Sequence, residues 1–413
     1  MAALTGYKVL VNSVKTDLNA IFQPLTGASG PATKYKTTGG KDLNLVFLPY
    51  TSGTKAIATG YKIVGGIDLN SVFSPYVVPK AWYALGSGLG NISIALALDS
   101  SNNLYAGGYF TTADGSTANY VAKWNVITSS WSPLGSGLGN LCRALAFDSN
   151  NNLYAGGDFA TAGGSTVNYV AKWNGSSWSI LGSGLGDTCR ALTRDSSNNL
   201  YAGGWFTTAS GTAANYVAKW NGSSWTALGV GLGSACNALA FDSNNILYAG
   251  GIFTTAGGVA NNYVVKWNGV SWSRIGSGLG NTCNALAVDS SNNLYAGGTF
   301  VTAGGSGKTA NYVAKWDGSA WSALGSGLNS SCYALAVDSN NNLYAGGDFT
   351  TAGGTAANYV AKWDGSSWSA LVSGLNNACY AFVRDSSNNL YAGGNFTGAN
   401  GTATLVNYVA VYK

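Results

Sequence analysis

Between residues 82 and 413, apolar and polar positions alternate in short runs bounded by Gly, Asn, Ser and Thr. Runs of that length and period predict β-strands joined by tight turns. One stretch shows the order. Residues 142–148 (CRALAFD) form a first strand and 150–152 a turn. Residues 153–159 (LYAGGDF) form a second strand and 161–167 a loop of small residues. Residues 168–173 (NYVAKW) form a third strand, Asn174-Gly175 signals a hairpin, and 178–181 form a fourth. The order recurs seven times. The LYAGG tyrosine stands at 105, 154, 201, 248, 295, 344 and 391, and the later Trp at 82, 131, 178, 225, 272, 321 and 368. Successive Trp residues are 47 or 49 positions apart. Seven repeats of four strands predict an all-β fold over residues 81–413, a seven-bladed β-propeller with four-stranded blades. The last repeat stops after its third strand, at 407–413. Residues 81–85 (AWYAL) are therefore expected to supply the fourth strand of the last blade and so remove the free edges.

The double glycine of LYAGG, the Tyr of NYVAKW and the Trp of SSW together resemble the kelch propeller repeat. The string YAGGxFTTAGG…NYVAKWNGSSWSxLGSGL is also similar to repeats of the fungal cell-polarity cortical marker family and of related bacterial surface propellers. The resemblance covers 82–413 and implies the fold, but little about function, since propellers host many activities. Trp-Asp pairs at 316–317 and 363–364 resemble WD repeats more weakly.

Residues 1–78 lack Trp and Cys and carry a different repeat, with copies at 6–25, 33–50 and 59–76. Each reads as a Tyr-Lys strand, a turn and a short helix at DLNxxFxPY, which predicts a small α+β region. Asp17, Asp42 and Asp68 are the expected helix N-caps. Leu18/Phe22, Leu43/Phe47 and Leu69/Phe73 are apolar pairs four residues apart, and Pro24, Pro49 and Pro75 end the helices. One copy is too small to bury a core, so the three are expected to pack together or on a partner. These copies resemble short modules in proteins of giant DNA viruses. That likeness implies a particle-associated protein with an N-terminal anchor; the other reading is an ordinary α+β appendage.

Composition narrows the function. Charged residues are only 9% of the chain and the net charge is +5, thinly spread, so no basic patch for nucleic acid is expected. No apolar run is long enough to span a membrane. Residues 1–11 show no basic stretch, apolar core and cleavage site, so synthesis in the cytoplasm without a secretory signal is expected. The sequence contains no His, which excludes Ser-His-Asp and Cys-His catalysis and every His metal site.

The recurring polar residues have structural explanations. Asp99, Asp148, Asp195, Asp242, Asp289, Asp338 and Asp385 open DSxNN-type turns. A calcium site would suit such oxygens, but one carboxylate per turn favours a side chain that caps the turn. Cys142, Cys189, Cys236, Cys283, Cys332 and Cys379 share one repeat position, with Ser93 in the first blade. They are expected to be small buried residues with free thiols rather than a thiol or metal site in the channel. Free thiols fit a reducing compartment. The Lys of the KW pair, at 123, 172, 219, 266, 315 and 362, is expected to lay its stem on the blade and its ammonium in water. Sequons at Asn91, Asn174, Asn221, Asn329, Asn395 and Asn400 are what chance gives in so Asn-, Ser- and Thr-rich a chain. No cofactor is implied.

A ligand that breaks sevenfold symmetry must read the positions that vary. Counting back from the turn, Asp148 faces Leu153 and Arg143 faces Asp158, an opposite-charge pair. The equivalents are Ile94/Tyr109, Arg190/Trp205, Asn237/Ile252, Asn284/Thr299, Tyr333/Asp348 and Tyr380/Asn395. They should ring the channel mouth on the face of the GSGLG and TTAGG loops. Arg143, Asp158, Arg190, Trp205, Tyr333, Asp348, Tyr380 and Asn395 are the candidate ligand rim, suited to a peptide or a sugar; drift at a solvated rim would leave a similar pattern. Of 16 acidic residues, seven open turns and three are N-terminal caps, and Asp158 and Asp348 are the only two on the rim. That is poor material for a glycosidase or lyase. The sequence thus predicts a non-enzymatic structural or binding protein, displayed on a virion or other particle or on a cell surface, with a protein or glycan partner. A glycan-binding lectin is the alternative.

Overall fold

The computed structural model describes residues 80–413, apart from 306, 402 and 403. It also describes five strands nearer the N-terminus: Lys8–Val11, Val14–Asp17, Phe22–Pro24, Tyr35–Thr37 and Asp42–Leu43. The chain divides into two compact units, Met1–Pro79 and Lys80–Lys413.

In the first unit, Lys8–Val11 pairs antiparallel with Val14–Asp17, and Tyr35–Thr37 pairs with both Phe22–Pro24 and Asp42–Leu43. This corrects the helical reading of the repeat where it can be compared. Asp17 and Asp42 stand in strands rather than at helix caps, and Phe22, Pro24 and Leu43 are likewise extended. A helix of one or two turns pays a nucleation cost that few backbone bonds repay, whereas a neighbouring Tyr-Lys strand offers a ready ladder. The rest of the expected helices, including Leu18, Phe47, Asp68, Leu69 and Phe73, lies outside the described residues.

The second unit is a seven-bladed propeller of four-stranded antiparallel sheets. Blade 2 shows the order from channel to rim: Cys142–Phe147, Leu153–Gly157, Val170–Trp173 and Trp178–Ile180. In blade 7 the outermost strand comes from the start of the propeller, as expected. Trp82–Ala84 pairs with Val409–Tyr412, with Trp82 opposite Tyr412. Trp82 is buried and donates its indole N–H to the Leu371 carbonyl at 3.3 Å. Asn400 clamps its backbone, accepting from the Trp82 N–H at 3.2 Å and donating to the Trp82 carbonyl at 2.9 Å.

The LYAGG strand is buried along its whole length in every blade. Its two glycines answer two different close approaches. A Cβ on Gly156 would come within 2.5 Å of Cys189 Sγ in the next blade, and one on Gly157 would enter the Leu141 carbonyl oxygen. The Cys column is thus the knob that fits the first glycine of the neighbouring blade. It packs between blades and does not face the channel as a metal site would. All six thiols are free and fully buried, and burial pushes the Cys142 thiol up to about 12. The LYAGG tyrosines carry the core across the same seam, with Tyr154 packing among blade 3 residues such as Leu181 and Phe206.

The DSxNN turns are capped by their own aspartates. Asp148 Oδ1 accepts from the backbone N–H groups of Asn150 (3.0 Å) and Asn152 (2.8 Å), and Oδ2 from the Asn152 amide and the Tyr154 hydroxyl. The turn asparagines also link blades. Asn151 Oδ1 accepts from the Ser100 N–H of blade 1, Asn198 Oδ1 from Ser149, and Asn102 reaches Ser386 to close the circle. Five of the six KW lysines depart from the expectation of an ammonium held only in water. The ammonium of Lys123 lies 5.2 Å from the centre of the Tyr105 ring and 3.4 Å from Asp99 Oδ2, and Lys172, Lys219, Lys315 and Lys362 likewise cover their blade's tyrosine. The π-face and the nearby turn carboxylate together offer more than water does.

Candidate functional site

The inner strands wall a narrow channel of ≈ 200 Å³, lined below its mouth by alanines and leucines such as Ala144, Leu145, Ala191 and Leu192. Arg143, Tyr333 and Tyr380 line its mouth. The register that places them differs from a straight count back from the turn. Phe147 faces Leu153 and Ala144 faces Gly156, but Cys142 faces Gly157. A β-bulge at Arg143 adds one residue to the inner strand, and the same shift recurs at this position in all seven blades. Bulges of this kind re-aim a side chain at the end of a ladder. Arg143 therefore meets Asp158 although the two are not simple cross-strand neighbours.

The meeting is close. Arg143 Nε donates to Asp158 Oδ1 at 2.6 Å and an Nη to Oδ2 at 2.7 Å, a two-pronged ion pair with both side chains about one quarter exposed. Burial alone would lower the Arg143 guanidinium, but the Asp158 carboxylate outweighs it and holds it above its ordinary value. In the next blade, Arg190 is lowered by burial and by repulsion from Arg143, and it stacks 5.4 Å from the Trp205 ring centre. Trp205 is 50% exposed, although it is among the largest apolar surfaces in the chain.

Across the mouth, the Tyr333 hydroxyl donates to Asp348 Oδ2 at 2.8 Å, and the Tyr333 and Tyr380 rings pack tilted with centroids 5.5 Å apart. Burial raises both phenols above their ordinary value, so they stay protonated donors at neutral pH. Asn395 is half-buried at the matching position of blade 7. The mouth thus has a cationic and indole arc on blades 2 and 3 and a phenolic arc on blades 6 and 7. The structure does not assemble the eight candidates into one cluster; it groups them as these two arcs.

Between the arcs lie residues the candidate set left out. Asn237 donates to the Cys283 carbonyl at 3.4 Å, and its Oδ1 is buried without a partner. Asn284 is its neighbour in blade 5. Both belong to the varying column, and an amide pair between arcs of Arg and Tyr was the signal available to find them. Among the described residues, no group of three or more Cys, Asp or Glu is placed to hold a metal ion. No helix among them is long and apolar enough to cross a membrane.

Comparison with known proteins agrees with the fold. The chain is similar over residues 78–235 to the Rax2 C-terminal beta propeller domain, a match that takes in Trp82 and blades 1 to 3. No curated protein sequence matches it. Among solved structures it resembles the RRP9 WD40 repeats (TM-score 0.55, 13% identity, 80% of this chain and 97% of that one). It also resembles the WD40 beta propeller domain of Doa1 (TM-score 0.51, 13% identity, 81% and 96%). A third likeness is to the extracellular domain assigned to a one component system of B. thetaiotaomicron (TM-score 0.54, 13% identity). That match covers 80% of this chain, which spans only 39% of the longer one. At such identity these structures speak for the fold alone: this chain carries a β-propeller built of repeats.

Proposed function

We propose that the propeller is a non-enzymatic binding module whose partner, a protein on a particle or cell surface, lies across the channel mouth. The observation that carries this reading is the contrast between a sevenfold-regular body and an irregular rim held in place by its own bonds. Arg143–Asp158, Arg190–Trp205 and Tyr333–Asp348 are pre-ordered pairs that a partner meets without paying to fix them. The channel, at ≈ 200 Å³, is smaller than the clefts that enclose small molecules, so the ligand rests on the mouth. Arg, Trp and Tyr are the residues in which interface energy concentrates. Catalysis by the two rim carboxylates has little support. Asp158 and Asp348 stand on blades 2 and 6, each already engaged by a neighbour, whereas glycosidases need a facing pair.

A second reading, a lectin-like propeller, is favoured by the half-exposed Trp205 beside amides and phenols, the groups that stack on and bond to sugars. The N-terminal unit is then an anchor, with display on a virion or other particle. Both readings are tested by one set of variants. Trp205→Ala, Tyr333→Ala and Tyr380→Ala are combined, and co-sedimentation with purified particles or cell envelopes and binding to a glycan array are measured. Retention on protease-treated envelopes together with array binding would replace the protein partner with a glycan. Unchanged binding by the triple variant would move the site off the mouth.

A further inference from the structure

The rim of blades 2 and 3 holds a cation that no carboxylate of the described residues neutralises. Arg143 gives its Nε and one Nη to Asp158, whose two oxygens are both engaged. Arg190 stands at the same position of the next blade and donates to no acceptor among the described residues. The buried side-chain atoms that lack a partner there are Asn237 Oδ1, Asn261 Oδ1 and Arg384 Nε; no nitrogen of Arg190 or Arg143 is among them, so their unused N–H groups face solvent. The Arg190 guanidinium lies over the Trp205 ring, 5.4 Å from its centre. Stacking occupies the flat face of a guanidinium and leaves its edge, where the N–H donors point, open to an acceptor. Burial works against the Arg190 charge, and Arg143 stands close enough to repel it as well. Two like charges held together by adjacent blades are relieved by an anion set against both. Trp205 is half exposed, and Tyr109 of blade 1, 44% exposed, lies close to both guanidiniums. The other carboxylate of the mouth, Asp348, is bonded to Tyr333 on the far arc.

Resting on the reading of the mouth as a protein-binding surface, we infer that the partner presents an acidic segment to this arc. An Asp or Glu carboxylate of that segment sits on the edge of Arg190 and on the second Nη of Arg143. A carboxylate matches the fork of a guanidinium with two parallel bonds. The indole of Trp205 and the phenol of Tyr109 suit apolar or aromatic neighbours of the acidic residue. The other blades cannot take the same part, because they carry Ile94, Asn237, Asn284, Tyr333 and Tyr380 at this position. Charge complementarity therefore holds the acidic residue to one side of the mouth and sets the register of the segment on an otherwise sevenfold ring.

An array of short synthetic peptides tests this. The peptides come in pairs with varied flanking residues, identical within a pair except for one position that holds Glu or its uncharged counterpart Gln. The full chain is applied at about 0.15 M salt, where distant surface charges are screened. Glu peptides should be held about tenfold or more tightly than their Gln partners, the scale of a charge-assisted hydrogen bond. Arg190→Asn should remove that preference. It introduces the residue that blades 4 and 5 carry, Asn237 and Asn284, so the blade tolerates it, and an unchanged thermal melt verifies this. Arg274→Ala removes the same charge from the outermost strand of blade 4, where blade 3 carries Ala227, and should keep the preference. No preference in the unaltered chain, a preference that survives Arg190→Asn, or equal loss in both variants would each overturn the inference. The mouth reading is judged separately, by envelope binding of the Trp205, Tyr333 and Tyr380 triple variant. If that binding is lost while Glu and Gln peptides are held alike, the acidic segment falls and the mouth stands.

Discussion

Gly156→Ala is the sharpest test of how the blades fit together. The new Cβ would lie 2.5 Å from Cys189 Sγ and 2.9 Å from its Cβ, where ordinary carbon contacts are about 3.5–4.0 Å. Cys189 is fully buried in the next blade, with its thiol donating to the Ala191 carbonyl, so it cannot swing into solvent. The blades must part locally, and overpacking of this kind costs about 1–3 kcal/mol. Cys189→Ala removes the nearer atom and relieves part of the clash; alone, it costs about 1 kcal/mol of lost burial. The two changes should therefore be coupled, the double variant being more stable than the sum of the single losses by about 1 kcal/mol. Gly157→Ala is the control. Its Cβ would enter the Leu141 backbone carbonyl, which no change at Cys189 can move. Equilibrium urea unfolding followed by Trp fluorescence, with the two singles, the double and the Gly157 pair, reads all of these. Additivity of Gly156→Ala and Cys189→Ala within about 0.5 kcal/mol, or equal rescue of Gly157→Ala, would refute the interlocking account.

Three further outcomes are expected. Thiol titration of unreduced protein should count six after denaturation and far fewer in the native state, because the thiols are buried and, as at Cys236 and Cys332, pushed up to about 12; a native count near six would show that the blades open readily. Burial would raise the Asp195 and Asp338 carboxyls, but hydrogen bonds from Asn199 and Asn342 outweigh it and hold them below the ordinary carboxylate value. Their contribution is then complete above about pH 4 and is lost as pH falls through their folded values, so urea midpoints that do not decline below about pH 4 would contradict the capped turns. Trp205→Ala should leave the melting temperature nearly unchanged, since the ring is half exposed, while weakening binding at the mouth by about 1 kcal/mol or more; unfolding would show it to be a packing residue.

The propeller was legible because each blade repeats the whole instruction for a blade: a capped turn, a buried LYAGG strand and paired Trp residues. Closure by Trp82 could be read from the missing fourth strand at 407–413. The bulge at Arg143 could not, because one extra residue at the end of a strand, in a column that holds Arg, Asn, Tyr or Ile, leaves no trace in the alternation. The straight count was one residue out from its first pair, since Phe147 and not Asp148 faces Leu153, and the bulge adds a second; it still named Arg143 and Asp158 together because both side chains gather at the mouth. The helical reading of the first unit rested on apolar pairs four apart, a spacing that extended chain also tolerates.

The clasp in blade 7 has a consequence for how the chain is made. Six blades can form in sequence from neighbouring residues, but the seventh waits for Val409–Tyr412 to meet Trp82–Ala84 across the whole ring. In a fully unfolded chain, joining segments roughly 330 residues apart would cost about 5 kcal/mol of entropy by the logarithmic law, and blades that have already stacked lessen that cost by bringing the two strands together. Until those two strands meet, the ring would be an open crescent. Its inner strands are already stacked, and two bare blade faces invite the matching face of a second copy. The low charge that suits the finished ring offers little repulsion against such an exchange. Rapid arrival of the last strand, held by the double grip of Asn400 on Trp82, is what commits each chain to closing on itself.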